Sequence, residues 1–384
     1  MKIKPSKLER YFAKYEFKAP YLLCCSDCES FSVEEMFALE SGAEKEFKKF
    51  WLGYTETLGN PDLRREIAGL YRNSPAENVL VCAGAEEGIY LFMNTVIKPG
   101  DHMIVLSPAY QSLYEIAASR GCDVTELHLQ ASNGWEPDLD ELAKSIRPQT
   151  KAIVVNLPHN PTGYLPSKEI YMKIIEIART HNLYLFSDEV YRGLEYDAGA
   201  QLPAACDIYE KGVSLGVMSK AYGLAGLRIG WVVTGDKELF DAMAGYKDYT
   251  TICSSGPSEF FTTLALRHKE FILKRNMEII QSNLILLDDF FLRHSERLEW
   301  VRPDAGPIGF PCLKTPFRTG EGQLIDNAEA FCRNLLEKTG ILLLPGNMFN
   351  CLEPEQRLRI GFGRKKLAEI LQKTDLYMSA LLPA

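Results

Sequence analysis

The stretch Ser219-Lys220-Ala221-Tyr222-Gly223-Leu224-Ala225-Gly226-Leu227-Arg228 sets a lysine ahead of an arginine with small residues and glycines between them. A lysine amine condenses with an aldehyde to give an imine, and a guanidinium holds a phosphate. An aldehyde tethered through an anion would therefore be met at both ends by this one stretch. Upstream, Phe186-Ser187-Asp188-Glu189-Val190-Tyr191 ends an apolar run on a carboxylate, which is costly when ionised unless it meets a cation. A protonated ring nitrogen is such a cation; the plainer role for Asp188 is a helix N-cap. Tyr191, three residues on, carries a phenol able to donate to a ring oxygen.

Other chemistry-bearing residues stand in similar places. Asn156-Leu157-Pro158-His159-Asn160-Pro161-Thr162-Gly163 has the prolines and glycine of a turn, and Asn160, before a proline, is pushed away from helical backbone so that its amide can face a crevice. His159 reads as a packed loop histidine rather than a catalytic one. Cys82-Ala83-Gly84-Ala85-Glu86-Glu87 joins an apolar run to a helical pattern. Its small residues let backbone N–H groups approach an anion at a helix N-terminus, though a tight strand-to-helix turn has the same look. Tyr110, after Pro108-Ala109, is placed to lay its ring on a flat ligand or simply to pack. Arg359, in Arg357-Leu358-Arg359-Ile360-Gly361, offers a planar fork for a carboxylate; standing alone it reads equally as a solvated strand-edge charge.

The elements that must position these groups follow from the apolar pattern. Near-continuous apolar runs at 78–83, 102–107, 123–129, 152–157, 183–187, 213–218 and 228–234 read as strands buried on both faces. Helical patterns at 61–71, 86–97, 110–120, 138–145, 167–181 and 236–246 lie between or beside them. The alternation predicts an α/β fold with a mostly parallel seven-stranded sheet sandwiched by helices. After about Gly256 the pattern changes to one long helical stretch from Ser258 towards His294, a strand-like pair in the 300s and a helix over 327–338. These predict a smaller α+β domain. The expected division is an N-terminal segment over 1–45, a large domain over 46–265 and a small C-terminal domain over 266–384. In the large sheet, ligands sit where strand C-termini feed helix N-termini.

Composition narrows the classes. The chain has 384 residues, 46% hydrophobic and 24% charged, and a formal charge of −8, which gives no basic footprint for nucleic acid. No apolar run is long enough to cross a membrane, and the basic start runs into Leu8-Glu9-Arg10-Tyr11 rather than an apolar stretch. A cytoplasmic protein is expected. Of the ten cysteines, Cys25 and Cys28 have the spacing of half a zinc site, but no second pair follows; they and Cys24 read as reduced thiols, with no metal. No G-x-G-x-x-G follows the first strand, which argues against a dinucleotide enzyme.

Taken together, N-P-T-G at 160–163, D-x-x-Y at 188–191 and S-K-x(7)-R at 219–228 resemble the fold type I pyridoxal phosphate enzymes, and among them the class I/II aminotransferases, over about 54–359. The resemblance implies pyridoxal 5'-phosphate as cofactor and Lys220 as the residue that bonds its aldehyde carbon and later shuttles the proton. Arg228, with the backbone of Gly84 and Ala85 and with Glu86 beside them, would hold the phosphate end. Asp188 would pair with the ring nitrogen, Tyr191 and Asn160 would hydrogen-bond the ring oxygen, and Tyr110 would stack. Arg359, with Asn160, would take the substrate carboxylate. Tyr54 matches a tyrosine that reaches the phosphate of the neighbouring subunit, which implies a homodimer with shared sites. Relatives often carry a hydroxyl where this chain has Val217, and Ser219 stands in for it.

The implied reaction is exchange of an amino group between an L-amino acid and a 2-oxo acid. A second likeness, in Leu8-Glu9-Arg10-Tyr11-Phe12, Ser30 to Glu35, Trp135 and Pro158-His159, is to the capreomycidine synthase branch, whose enzymes cyclise a hydroxylated arginine by β-elimination and re-addition. Aromatic density at Phe12, Tyr15, Phe17 and Tyr21 leads to the expectation of a bulky or apolar substrate side chain. The expected rim is 12–28 and 249–255.

Overall fold

The computed structural model describes residues 3–314 and 316–384. The seven apolar runs form one sheet: β1 (Val79–Cys82), β2 (His102–Ser107), β3 (Asp123–His128), β4 (Thr150–Asn156), β5 (Tyr184–Asp188), β6 (Gly212–Val217) and β7 (Gly230–Thr234), in the order β1-β7-β6-β5-β4-β2-β3. Strand β7 runs antiparallel to both of its neighbours, and the other pairs are parallel. Side chains alternate across the sheet. On β4, Ala152 and Val154 join one core while Ile153 and Val155 join the other, so both faces must be covered.

Around the sheet, α1 (Lys7–Tyr15) and α2 (Pro61–Ala68) precede it in the chain. One face is covered by α3 (Ala85–Val96), α4 (Ser112–Ser119) and α7 (Lys237–Lys247), through residues such as Phe92, Leu113 and Phe240. The other is covered by α5 (Leu139–Lys144) and α6 (Lys168–Thr180), through Leu142, Tyr171 and Ile174. The helix starts follow local chemistry: Asn60 caps α2 ahead of Pro61, and Ser167, Asp138 and Asp236 each accept a backbone N–H at a first turn.

The long helical pattern of 258–294 is two helices, α8 (Gly256–Arg267) and α9 (Lys269–Arg293), separated at His268. That residue has φ −114° and ψ 26°, and its ring meets Glu40 from the N-terminal region at 3.3 Å. No proline or glycine marks the break in the sequence. Beyond it, α10 (Ala328–Thr339) and α11 (Leu367–Ala380) pack with small antiparallel sheets, one of which sets β8 (Leu358–Gly361) between Ile308–Gly309 and Leu344–Pro345. Helices α1 and α11 were not anticipated from the apolar pattern.

The N-terminal residues are docked rather than loose. Tyr21–Leu22 pairs in parallel with Ile341–Leu342, and Leu23 accepts a hydrogen bond from the Gly361 N–H at 2.8 Å. At Gly361 an added Cβ would lie 1.7 Å from the carbonyl oxygen of Cys25, so only glycine lets the 23–29 segment pass against β8.

Candidate active site

A cavity of about 400 Å³ opens at the sheet edge where β4, β5 and β6 end. It is lined by Ala85, Glu86, Tyr110, Asn160, Asp188, Tyr191, Ser219, Lys220, Arg228 and Arg359 from among the residues singled out in the sequence. Topology explains the gathering. Because β7 is antiparallel, Gly230 at its start pairs with Cys82 and Val217 at the ends of β1 and β6. Arg228, just before β7, is thereby delivered to the same edge as the other strand ends. It holds a left-handed backbone with φ 53°, unusual for a side chain with a Cβ and a mark of a position set by its surroundings.

Gly84 does not line the cavity itself; it backs the arginine. With φ 82°, a Cβ there would come within 2.7 Å of an Arg228 terminal nitrogen. The Arg228 guanidinium also donates to Ser219 Oγ at 3.4 Å and to the Ala225 carbonyl at 3.1 Å, while the N-terminus of α3 begins at Ala85. A glycine, a helix start and an arginine thus form an anion cradle.

Asp188 is buried at the end of β5. Burial raises its carboxyl from 3.8 to about 7, against the hydrogen bond from Val190 N–H at 3.2 Å and the nearby Lys220 amine. Such a carboxyl asks for a cation. Asn156 ties the neighbouring strand end in place, donating from Nδ2 to the Asp188 carbonyl at 3.0 Å and accepting from the Asn160 N–H at 2.8 Å. Asn160 Oδ1 in turn accepts from Arg359 at 3.3 Å.

Lys220 is shifted the other way. Burial, helped by Arg359, pushes its amine down towards the neutral form, while Asp27, Cys25 and Asp188 act against that. The Tyr191 phenol is buried with no partner in hydrogen-bonding geometry, and burial pushes its pKa up. Arg359, 1% exposed, donates to the Cys24 carbonyl at 2.6 Å and leaves Nε without a partner. Buried polar groups are rarely orphaned, so these two atoms point to a ligand that completes them. An amine of lowered basicity, an anion cradle, a carboxyl waiting for a cation and a buried phenol all border one cavity, as a flat phosphorylated aldehyde with a ring nitrogen requires.

The family model for aminotransferase class I and II matches residues 36–373. The chain belongs to that family. A curated relative, capreomycidine synthase from Streptomyces vinaceus, is 28% identical over 92% of this chain and 88% of its own length. An aspartate aminotransferase from Pyrococcus horikoshii is 26% identical, covering 88% and 86%. A solved pyridoxal phosphate-dependent aminotransferase from Streptococcus suis superposes with a TM-score of 0.90 at 32% identity, over 99% of this chain and 98% of that one. The protein is a pyridoxal phosphate-dependent enzyme with the aminotransferase fold, and the residues around the cavity fit the cofactor.

Some sequence readings are modified by the geometry. Tyr54 stands apart from the cavity and is 86% exposed, beside exposed Trp51 and Leu52. His159 is buried behind the cavity wall with Nδ1 on Thr162 Oγ1 at 2.8 Å; burial pushes its pKa down to about 3, in keeping with a packed histidine. The expected rim over 12–28 contributes Phe12, Glu16, Cys25, Ser26 and Asp27 to the lining, but of its aromatics Phe12 alone lines the cavity, and Phe17 is 93% exposed. The stretch 249–255 contributes nothing to the lining.

The cavity also takes in residues the motifs did not mark. Leu8, Glu9, Phe12 and Glu16 come from one face of α1 and its C-terminal end, at helical spacing, and Cys25, Ser26 and Asp27 come from the segment after it. Asp27 takes Arg364 with both oxygens, at 2.8 and 3.0 Å. Glu86 is exposed at the cavity mouth, where it accepts a hydrogen bond from Ser112 Oγ, and the crowding around its carboxyl raises its pKa. The i, i+3, i+4 recurrence of Leu8, Glu9, Phe12 and Glu16 was the available signal, hidden because two of the four are charged.

Proposed function

We propose that the protein is an aminotransferase moving an amino group between an L-amino acid and a 2-oxo acid, with Lys220, Asp188 and Tyr191 as its catalytic residues. The observation that carries this reading is the convergence on one cavity of a half-buried lysine with lowered basicity, a buried carboxyl raised to about 7 and a buried arginine with an Nε–H that has no partner among the described residues. Bound pyridoxal phosphate supplies an electron sink for the pair left when the amino acid's α-proton departs.

The chain's own groups do the rest. Arg228, Ser219 and the start of α3, with Gly84, Ala85 and Glu86 there, hold the phosphate end. Asp188 would pair with the ring nitrogen and favour its protonated form, Tyr110 would stack on the ring, and Tyr191 and Asn160 would hydrogen-bond the ring oxygen. Arg359, braced by Asn160 and the Cys24 carbonyl, grips the substrate carboxylate and so aims the α-carbon. Lys220, its basicity lowered by the loss of water around the amine, would take the α-proton at Nζ and return it elsewhere on the same face.

Mixing the loaded enzyme with amino acids one at a time tests this. The visible band of the lysine-bound cofactor should disappear with one equivalent of 2-oxo acid released, and a second 2-oxo acid should restore it. Failure of every amino acid to do so overturns the reading.

One observation favours a second reading, β-elimination and cyclisation as in the capreomycidine synthase branch. The Glu16 carboxylate borders the cavity near Glu9 with no hydrogen bond or ion pair to a described residue, which suits a guanidinium on the substrate. Turnover of a hydroxylated arginine without any 2-oxo acid acceptor would choose this reading.

We further propose a homodimer with Tyr54 reaching the partner's phosphate site, supported by the exposed cluster Trp51, Leu52, Tyr54, Tyr249 and Ile252. The division at 1–45, 46–265 and 266–384 is our proposed domain assignment. No helix among the described residues is long and apolar enough to cross a membrane, and all ten cysteines are unpaired, which supports a reducing cytoplasmic setting.

A further inference from the structure

We infer that Ser26 is a further residue of the amine chemistry: its hydroxyl accepts a hydrogen bond from Lys220 Nζ and holds that nitrogen at the cavity edge whenever it is not bonded to the cofactor. The inference rests on the role of Lys220 given above. Ser26 Oγ lies 2.9 Å from Nζ, lines the same cavity and is buried.

The backbone around it is pinned on both sides. Leu23 accepts from Gly361 N–H at 2.8 Å, Cys28 N–H reaches the Lys220 carbonyl at 3.4 Å, and Glu29 N–H donates to the Gly363 carbonyl at 2.8 Å. Asp27, the next residue, is locked to Arg364. Ser26 caps no helix, and its hydroxyl lies beside the Tyr191 phenol as well as the Lys220 amine, so it serves groups of the cavity rather than its own backbone.

Its chemistry follows from what a hydroxyl oxygen offers an amine. When unprotonated, the amine gives one N–H to Ser26 Oγ and keeps its lone pair for the substrate. When the α C–H bond breaks, its proton forms a new N–H bond at Nζ and the electron pair stays with the substrate carbon and the cofactor conjugated to it. The ammonium then donates a stronger, charge-assisted bond to the same oxygen. A partner that binds the charged form better raises basicity, so Ser26 opposes the burial that holds Lys220 low.

The test compares wild type with Ser26→Ala, Ser26→Thr and Ser26→Cys. In cofactor-free full-length protein, the pH dependence of pyridoxal phosphate loading, followed by the visible band, titrates Lys220. Ser26→Ala should move the midpoint down by about half a pH unit or more and Ser26→Thr should restore it. With loaded enzyme, Ser26→Ala should slow band loss about tenfold, raise the α-deuterium isotope effect and leave KM within about twofold. If Ser26→Ala does not fold, Ser26→Cys must shift the midpoint in the same direction by less. An unshifted midpoint in the folded variants overturns the inference. A wild-type enzyme that loads cofactor but converts no amino acid defeats the aminotransferase reading, while the loading titration still decides the role of Ser26.

Discussion

The two ends of the cavity are built differently. The cofactor end is made at the edge of one rigid sheet, from strand ends close together in space because β4, β5 and β6 are neighbours and β7 returns antiparallel beside them. The end proposed for the substrate is made from α1 and the 23–29 segment, close together near the start of the chain, and from β8, more than 300 residues further on; they meet through a few backbone bonds and the Asp27–Arg364 pair. The first arrangement suits invariant chemistry on an invariant ring. The second lets specificity change without disturbing the sheet, since functional variation is cheapest on elements that carry little of the core.

Substitutions can break this contrast or sharpen it. The largest effect is expected for Lys220→Ala, which should abolish the lysine-bound visible band and lower turnover at least about 10³-fold, measured by 2-oxo acid release. Arg359→Ala removes one partner of a buried charge and should lower kcat/KM about 30- to 1000-fold, or about 2–4 kcal/mol, with cofactor affinity little changed. Arg359→Lys should recover only a fraction of that loss, because the planar fork is gone. If Arg359→Ala instead sheds the cofactor, the division into two ends is wrong.

Asp188→Asn at the cofactor end should lower turnover about 100-fold and also change the response to pH. With its carboxyl raised from 3.8 to about 7, cofactor-free wild type has the full stabilising contribution of the protonated acid below about pH 4 and loses it as pH rises through 7. The loss is on the order of 4 kcal/mol. Chemical denaturation at pH 5 and pH 8 should therefore show a smaller drop in Asp188→Asn than in wild type. Glu259, also buried and raised to about 7, should leave a residual drop of the same sign. Cofactor loading should reduce the wild-type drop, because the ring cation then stabilises the ionised carboxylate.

At the substrate end, Glu16→Gln should lower kcat/KM about tenfold for amino acids with cationic side chains and leave neutral ones within about twofold. An equal effect on both classes would make Glu16 a general feature of the mouth rather than a selector. The smallest effect on turnover is expected for His159→Gln, within about threefold, since the ring sits on Thr162 behind the wall; its cost should appear as about 1–2 kcal/mol of lost stability.

How much of this could be read from the chain differs between the two ends. Asp188, Lys220, Arg228 and Asn160 were legible because each sits at a strand end or an adjoining turn, where a polar residue interrupts an apolar run and so announces itself. Glu16, Ser26 and Asp27 were legible only as members of the expected rim 12–28, and Glu9 not at all, because charged and hydroxyl residues on an N-terminal helix and loop are ordinary surface chemistry until the chain is folded. The break at His268 was hidden for a similar reason: nothing local opposes the helix there, and a contact with Glu40 accompanies the turn. The aromatic residues misled, since Tyr15, Phe17 and Tyr21 do not line the cavity.

By itself the sequence determined the sheet, its flanking helices and the cofactor chemistry, because period, strand-end polarity and short motifs are local properties. Tertiary structure alone decided that Ser26 meets the Lys220 amine, that Asp27 occupies Arg364 and that Glu16 borders the cavity with no ion pair to a described residue. Those pairings depend on where α1 and the 23–29 segment dock against β8, and docking is set by complementary surfaces across more than 300 residues of chain rather than by any local preference.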